Sequence, residues 1–481
     1  MSRSTTPRSR FALALLFGLS CASTCHAEET WVRFRGPNGS GVPSEQTETP
    51  TEIGPETNVL WKTSLPPGHS SPILTAKQVF VTAVNDERLY TIALDRVDGS
   101  VLWQKEARHA GLEEIHSIGS HAQPTPATDG ETVVSFFGSC GLFCYDLDGA
   151  LRWERPMGPY KNTYGAASSP IIVGDLVISC QDHDIDSYLI AVDKQTGNTV
   201  WKTERAEFPR GFSSPIIWNV DGRLQVVVAG AIRVVGYDLK SGKEIWTVRG
   251  IARIANAIPV IGDENTLFVS EWAPGGGDTD RIQADPFEDI LTQYDKNQNT
   301  TVEQQELPPG PLKSRFSQID RDKSGEITRA EYEWMRQIFH AAHNIVVAIK
   351  PGGQGDVTDT HVLWTQKKFL PYVPSPVYYD GFLFMVKNGG IASSLDARTG
   401  ERLKNGRVAH TKNYYSSPVI ADGKIYLINQ QGELTVLSAE PKWKVLATAQ
   451  FGEEAFATPA ISRGNIYLRT AGNLYCFGLK E

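Results

Sequence analysis

Oxygen-bearing residues recur at alternate positions along residues 320–331. Carboxylate, hydroxyl and carbonyl oxygens are the ligands that the hard cation Ca²⁺ prefers, and calcium takes about six to eight of them. Gly325 lies in the middle of the segment, where the chain must turn sharply around a bound ion. The expected ligands are the side chains of Asp320, Asp322, Ser324, Thr328 and Glu331 and the backbone carbonyl of Glu326. This pattern predicts a calcium-binding loop that Glu331 closes with both carboxylate oxygens.

A related pattern precedes it, along residues 295–306. The residues in ligand positions are Asp295, Asn297, Asn299, Thr301 through its carbonyl, Glu303 and Glu306. Thr300 stands where the turn usually requires glycine, and the two asparagines lower the charge of the ligand set. We expect this first loop to bind calcium more weakly than the second; the alternative is that it only braces its neighbour. The two segments resemble a pair of EF-hand loops, in which Val302 and Ile327 would link one loop to the other.

Short helices are predicted around these loops. Residues 285–294 lead into the first loop, residues 312–319 lead into the second, and residues 330–342 follow it. Together they form an α-helical insert, residues 278–343, that is more acidic than basic. Facing carboxylates repel one another without metal, so we expect calcium binding and folding of the insert to be linked.

The rest of the chain repeats a hairpin pattern: an aspartate, a turn that ends in glycine, and a tryptophan soon after it. The three positions are Asp95, Gly99 and Trp103, then Asp146, Gly149 and Trp153, then Asp193, Gly197 and Trp201, then Asp238, Gly242 and Trp246, and finally Asp396 and Gly400 with Lys404 in place of tryptophan. Alternating apolar residues flank each turn, which is typical of a β-hairpin. A unit this short cannot bury both of its faces, so it must stack on its neighbours.

A second marker counts the units. A small polar residue, a proline and an apolar run begin each one, at Pro72, Pro126, Pro170, Pro215, Pro259, Pro376, Pro418 and Pro459. The marker and the hairpin together give four strands per unit, the composition of a propeller blade. The sequence therefore predicts an all-β, eight-bladed β-propeller whose fifth blade is interrupted, between its second and third strands, by the insert.

The two ends of the repeat region should complete one blade between them. The last unit ends near Phe477 after its third strand, whereas the first tryptophan strand, at residues 59–61, has no blade of its own. Pairing these strands closes the ring and removes its exposed edges. The predicted divisions are a signal peptide (1–27), an N-terminal extension (28–57), the first part of the propeller (58–273), the insert (278–343) and the second part of the propeller (344–481).

The hairpin and the Ser-Ser-Pro strand start resemble the pyrroloquinoline-quinone (PQQ) type repeat. That repeat builds the eight-bladed quinoprotein dehydrogenases and the propeller lipoprotein of the outer-membrane assembly machinery. Residues 31–41 also resemble the segment that often opens secreted bacterial members of this group. The resemblance implies the fold and leaves activity open, because most proteins with the repeat bind no quinone.

The N-terminus indicates export. Three arginines precede the apolar run of residues 11–19, and small residues precede Glu28, as in a Sec-type signal peptide. A lipidated Cys21 is the alternative, although Gly18 occupies the position where lipoproteins carry an aliphatic residue. No later apolar run approaches the ~18 residues of a membrane span. We therefore expect a periplasmic or extracellular protein without a transmembrane segment.

The formal net charge of −8 at pH 7 becomes more negative once the arginine-rich leader is removed. This charge disfavours nucleic acid as a partner. In an oxidising compartment a disulfide between Cys140 and Cys144 and buried free thiols are equally acceptable predictions. The cysteines that remain after cleavage are Cys140, Cys144, Cys180 and Cys476.

Two functions compete. The first is a monomeric, non-enzymatic calcium-binding propeller that binds a protein or glycan partner in the cell envelope. The second is a PQQ- and calcium-dependent quinoprotein dehydrogenase, a family that carries adjacent cysteines over the quinone; this chain has none after the leader. We favour the first function, with Ca²⁺ as the cofactor, no bound PQQ and no catalytic residue. The side chains expected around a funnel at the propeller rim are His116, His121, Tyr164, Arg210, Arg253, Tyr372 and Lys412.

Overall fold

The computed structural model describes residues 1–2 and 31–479. Eight blade sheets follow one another along the chain, and each contains four antiparallel strands in a meander. In most blades the four strands are consecutive; in the fifth an insert separates the second strand from the third, and the last sheet takes its outer strand from the start of the chain. Inner strands are short and buried, whereas outer strands alternate between exposed and buried residues. The prediction of an eight-bladed, all-β propeller is confirmed.

Each marker proline lies directly before the innermost strand of its blade. Blades 1 and 2 contain β2 (Ile73–Leu74), β3 (Gln78–Asn85), β4 (Arg88–Asp95) and β5 (Val101–Ala107), then β6 (Ala127–Thr128), β7 (Thr132–Phe136), β8 (Leu142–Asp146) and β9 (Leu151–Arg155). Blades 3 and 4 contain β10 (Ile171–Val173), β11 (Leu176–Gln181), β12 (Tyr188–Asp193) and β13 (Thr199–Glu204), then β14 (Ile216–Val220), β15 (Arg223–Gly230), β16 (Arg233–Asp238) and β17 (Glu244–Arg249).

The second half follows the same order. Blades 5 and 6 contain β18 (Val260–Ile261), β19 (Leu267–Glu271), β22 (Ile345–Ile349) and β24 (Val362–Gln366), then β25 (Val377–Tyr379), β26 (Phe382–Lys387), β27 (Ile391–Asp396) and β28 (Arg402–Arg407). Blades 7 and 8 contain β29 (Val419–Ala421), β30 (Lys424–Ile428), β31 (Glu433–Ser438) and β32 (Val445–Gln450), then β33 (Ala460–Ser462), β34 (Asn465–Arg469), β35 (Asn473–Phe477) and β1 (Val59–Ser64). A short parallel strand, β23 (Gly355–Asp356), adds to the outer edge of blade 4, and helix α5 (Thr358–His361) follows it.

The N- and C-terminal ends of the repeat region close the ring as predicted. Strand β1 pairs antiparallel with β35, so that Val59 lies opposite Phe477 and Trp61 opposite Cys476. A register shift between Val59 and Trp61 bends the strand at this point. The last blade is therefore composite, and β35 is paired on both of its edges, by β1 and by β34.

The repeated hairpin residues act between blades. The indole Nε1 of Trp201 donates to the carbonyl oxygen of Leu239 in the next blade at 3.0 Å, and the equivalent bond from Trp103 to Leu147 measures 2.8 Å. Lys404, which replaces the tryptophan in blade 6, donates from Nζ to the carbonyl oxygen of Trp443. These bonds tie a blade to the following one, in addition to burying apolar surface. The hairpin of blade 4 differs, because Trp246 Nε1 donates to Gln225 Oε1 of its own blade at 2.6 Å.

Residues 31–41 close one end of the central channel. Their carbonyl and side-chain oxygens accept hydrogen bonds from N–H groups of the innermost strands: Leu74 and Thr128 bond to the segment's backbone, and Ile217 bonds to Asn38 Oδ1 at 2.9 Å. Arg35 is fully buried, and its Nη2 donates to the carbonyl oxygen of Pro376 at 2.8 Å. The segment thus satisfies strand edges on opposite sides of the ring, which the sequence pattern did not reveal.

The insert leaves blade 5 between β19 and β22, where it was predicted. Its elements are α1 (Phe287–Tyr294), β20 (Val302–Glu303), α2 (Pro311–Ser314), α3 (Phe316–Ile319), β21 (Glu326–Ile327) and α4 (Arg329–Ala341). A hydrophobic cluster of its own, which includes Phe287, Phe316 and Tyr332, lies beneath the two loops. The insert therefore buries apolar surface without help from the blades.

Three further predictions concern the signal peptide, the cysteines and membrane-spanning segments. The signal peptide, except for its first two residues, lies outside the described residues, and so does Cys21. The four cysteines of residues 31–479 are free thiols, so the disulfide between Cys140 and Cys144 does not form. In the part of the chain that the structure describes, no helix is long and apolar enough to cross a membrane.

Candidate functional site

A cavity of about 470 Å³ occupies the centre of the ring, above the segment of residues 31–41. The side chain of Phe34, in that segment, lines the cavity at this end. Its wall carries seven hydroxyl groups, one from nearly every blade, at the residues directly before the marker prolines. These are Ser71, Thr125, Ser169, Ser214, Ser375, Ser417 and Thr458. The small polar residue of each of these markers therefore lines the cavity.

The hydroxyls form a hydrogen-bonded ring that links neighbouring blades. The backbone N–H of Ser71 donates to Thr125 Oγ1 at 3.0 Å, and that of Thr125 donates to Ser169 Oγ at 2.9 Å. The same step recurs around the propeller and closes where Thr458 N donates to Ser71 Oγ at 2.9 Å. Ile258 interrupts the ring, because blade 5 supplies no hydroxyl there. Since each hydroxyl accepts one N–H, its own hydrogen remains available to an acceptor in the cavity.

Aromatic rings complete the wall. His69 stacks on Phe456 with ring centroids 3.9 Å apart. Burial, with the nearby Arg469 charge, lowers the pKa of His69 to about 4, so its imidazole is neutral at pH 7. Burial also raises the pKa of Tyr372 and Tyr415. The cavity can therefore hold a mostly apolar, flat group that carries hydrogen-bond acceptors.

The predicted rim residues separate into three groups. His116, Tyr164 and Tyr372 line the central cavity. Arg210 and Arg253 line a neighbouring cleft beside the insert, which Tyr164 and Tyr372 also contact. His121 and Lys412 line neither; His121 Nε2 bonds to the carbonyl oxygen of Glu113 at 2.8 Å, and Lys412 is exposed.

The second loop of the insert brings its carboxylates together. One oxygen from each of Asp320, Asp322 and Glu331 lies within 4.8 Å of the others. The carboxylate of Glu331 accepts hydrogen bonds from Arg321 N at 2.8 Å and, as part of a capping box, from Thr328 N at 3.0 Å. This arrangement fixes the last loop residue to the first turn of α4.

Hydrogen bonds from backbone N–H groups shape the same loop. Gly325 N donates to Asp320 Oδ2 at 3.0 Å, and Ser324 N donates to Asp322 Oδ1 at 3.0 Å. Gly325 takes a φ of 87°, which requires glycine. Ser324 Oγ donates to the carbonyl oxygen of Glu326 at 3.1 Å, so two further expected ligand oxygens are also adjacent.

The first loop follows the same path, but its polar side chains form hydrogen bonds within the loop itself. Thr300 adopts a φ of 68°, which is strained for a β-branched residue. The amide nitrogens of Asn297 and Asn299 both donate to Glu303 Oε1, at 2.9 and 3.3 Å. Glu306 accepts from two backbone N–H groups, and Asp295 accepts from Asn299 N and Thr300 N. Among the described residues no three carboxylates of this loop converge as those of the second loop do.

The two loops pair back to back. Val302 lies opposite Ile327 in the short antiparallel ladder of β20 and β21. Thr301 Oγ1 of the first loop also donates to Glu326 Oε2 of the second at 2.9 Å. The two loops are therefore in direct contact through backbone pairing and a side-chain hydrogen bond.

Two solved structures that superpose with TM-scores above 0.5 support the fold. BamB from Moraxella catarrhalis superposes with a TM-score of 0.53 at 14% identity, covering 87% of this chain and 98% of the other. The computationally designed Ika8 protein gives a TM-score of 0.56 at 10% identity, covering 88% and 100%. A europium-containing methanol dehydrogenase gives 0.49 at 9% identity, covering 94% and 98%. A search among curated proteins returned no significant match.

The family comparison covers most of the chain. The family described as outer membrane protein assembly factor BamB matches residues 52–182, 163–272 and 333–481. These segments contain the strands of all eight blades and omit most of the insert. The chain therefore belongs to the BamB-like family of PQQ-repeat β-propellers.

Proposed function

We propose that this protein is an exported, monomeric, calcium-binding β-propeller that holds a protein partner in the cell envelope without catalysis. The family description, which names outer membrane protein assembly, supports a protein partner over a glycan. The arginine-rich, apolar N-terminus supports a place in the periplasm or outside the cell. The insert, most of which lies outside the family match, would supply the calcium site.

The convergence of Asp320, Asp322 and Glu331 carries the calcium part of the proposal. Three carboxylates held this close repel one another unless a cation lies between them. Oδ1 of Asp320 is buried and has no protein hydrogen-bond partner, so its acceptor capacity is unused. These oxygens, with Ser324, Thr328 and the Glu326 carbonyl, fit a hard divalent cation.

Bound calcium would supply positive charge that offsets the repulsion among these carboxylates. The protein's own contribution is to orient the ligands: turns formed by Asp320 and Asp322 hold the first half of the loop, and the capping box holds Glu331. The first loop would act as a weaker site or as a brace, because its amides already bond to Glu303.

The state of the thiols supports a non-catalytic role. Burial raises the pKa of Cys140 to about 11 and that of Cys144 and Cys476 to about 12. Burial also raises the pKa of Cys180 well above its usual value. These thiols therefore remain protonated at neutral pH and are poor nucleophiles.

Envelope cross-linking tests the partner. A photo-crosslinking residue at the exposed Lys412 on the rim should capture components of outer membrane protein assembly in intact cells. The same residue at the exposed Lys243, in the turn before an outer strand, serves as the control. Equal capture at both positions, or capture at neither, would contradict a rim-bound partner. A dye-linked dehydrogenase assay with added PQQ and calcium should show no turnover; alcohol oxidation would instead establish the quinoprotein alternative.

A further inference from the structure

A cleft of about 210 Å³ separates the insert from the propeller rim. Arg210 and Arg253 line it from the loops that lead into and out of blade 4, and Arg315 and Phe339 line it from the insert. Asp184 is the one carboxylate among the lining residues that the structure describes. Three guanidinium groups thus share one small space with a single negative charge.

The charge of only one arginine is compensated. Arg210 forms a bidentate pair with Asp184, at 2.9 Å from Nε and 2.7 Å from Nη2. Arg253 instead donates from Nε and Nη2 to the neutral carbonyl oxygen of Pro274, at 3.0 and 2.9 Å. Arg315 Nη1 reaches only a backbone carbonyl, at 3.4 Å. Within residues 31–479, neither Arg253 nor Arg315 has a carboxylate within ion-pair distance.

The guanidinium groups of Arg253 and Arg315 both lie near the ring of Phe339. The guanidinium carbons of Arg253 and Arg315 each lie 5.7 Å from the centroid of its ring. Burial, with the nearby Arg315 charge, lowers the pKa of Arg253 to about 10, so it stays protonated at pH 7. Two unpaired cations in a partly buried cleft form a favourable place for an anion.

The residues that line the cleft from the insert lie on both sides of the second loop in the chain. Arg315 directly precedes α3, which leads into Asp320, whereas Phe339 lies on α4, which begins just before Glu331. An ion held by Asp320 and Glu331 would fix the angle between these helices, as calcium does in helix–loop–helix sensors. The distance between Arg315 and Phe339 would then depend on metal.

We propose that this cleft binds an oxyanion, the carboxylate or phosphate group of a small ligand, between Arg253 and Arg315, and that calcium in the second loop strengthens its binding. The coupling rests on the proposed calcium site; the oxyanion site itself does not. Guanidinium groups suit this role because their planar N–H pairs match both kinds of oxyanion. By linkage, the oxyanion strengthens calcium binding by the same factor.

Calorimetry on the mature protein tests the site with two probes, methyl phosphate and acetate, at constant chloride and ionic strength. The tighter probe identifies which oxyanion the cleft prefers. Arg253→Gln and Arg315→Gln should each weaken that binding at least about tenfold, because each removes a charged, forked donor. Arg152→Gln is the matched control, since its side chain is 59% exposed on the outer strand of blade 2. Unchanged affinity in both cleft variants, or no binding of either probe, would overturn the proposal.

The calcium dependence needs metal-stripped protein prepared on a chelating resin, because a soluble chelator is itself an oxyanion. Stripping should weaken the preferred probe at least about fivefold, and Glu331→Gln should do the same in the presence of calcium. If calcium binds but leaves the probe's affinity unchanged, the coupling is wrong. If calcium does not bind at all, the proposed calcium site fails, and the two arginine variants still decide the oxyanion site. Arg315 lies outside the ring, so its variant remains informative even if Arg253→Gln does not fold.

Discussion

The indole of Trp153 in blade 2 lies directly against Gly197 in blade 3. A Cβ atom at Gly197 would come within 2.7 Å of the ring, and Gly197 takes a φ of 71°. Trp153 Nε1 donates to the carbonyl oxygen of Lys194 in the same turn at 2.7 Å. Glycine is therefore required at this position for two reasons: the backbone has a positive φ, and the Trp153 ring leaves no room for a Cβ atom.

Gly197→Ala should therefore destabilise the propeller by about 2–4 kcal/mol, since it combines a left-handed alanine with a steric clash. Gly174→Ala is the matched control: Gly174 has a φ of 56°, and no atom lies within 4 Å of the position that an added methyl group would take. The control should cost only about 1 kcal/mol. Denaturant unfolding measures both, and equal losses would show that the contact with Trp153 contributes nothing.

His69 should make the fold sensitive to acid. Its pKa is about 4 in the folded protein and about 6.5 when unfolded, so it stabilises the fold above pH 6.5. This contribution is lost as the pH falls from 6.5 towards 4, with an upper bound of about 3 kcal/mol. His69→Phe keeps the stack on Phe456 without the titrating group. Its unfolding free energy should fall less than that of the wild type between pH 6.5 and 4.5; parallel pH curves would exclude this role.

The sequence predicted the features that depend on local chemistry. The aspartate and glycine of each turn, such as Asp193 and Gly197, specify a hairpin through positive φ and side-chain capping, and eight prolines count the blades. The pairing of Val59 with Phe477 followed because an unpaired strand at each end can only satisfy its edge with the other.

Features that depend on packing between distant segments could not be predicted in the same way. The marker residues were recognised as small and polar, but a ring of hydroxyls appears only once blade closure brings Thr458 beside Ser71. The sequence around Arg35 gives no sign of burial, yet the side chain is fully buried because its segment enters the channel. The cleft arises because Arg253 and Arg315, far apart in the chain, meet over Phe339.

Glu331→Gln should abolish the stronger calcium site in calorimetry. A bidentate carboxylate is replaced by a single neutral carbonyl, while Asp320 and Asp322 remain. For the wild type we expect one or two sites, with affinities of about 10⁻⁴–10⁻³ M sufficing in a calcium-rich exterior. Glu333→Gln, which removes the same charge from α4 outside the loop, is the control. Equal calcium binding by the two variants would contradict the predicted ligand set.

Removal of calcium should loosen the insert and leave the propeller intact. The insert has its own hydrophobic cluster, and the blades are held by strand pairing and by bonds such as that from Trp201 to Leu239, none of which involves the loops. Without metal, repulsion among the loop carboxylates opposes folding of residues 278–343 alone. Hydrogen exchange in chelator should therefore become faster in that segment, while the blade strands keep their protection. Hydrogen bonds connect the insert to the propeller rim: His343 N donates to Ile251 O at 3.2 Å, and Arg321 Nη2 donates to the carbonyl oxygen of Ala206. If chelator instead unfolds the whole protein in one cooperative step, calcium supports the ring as well and the insert is not a separable unit.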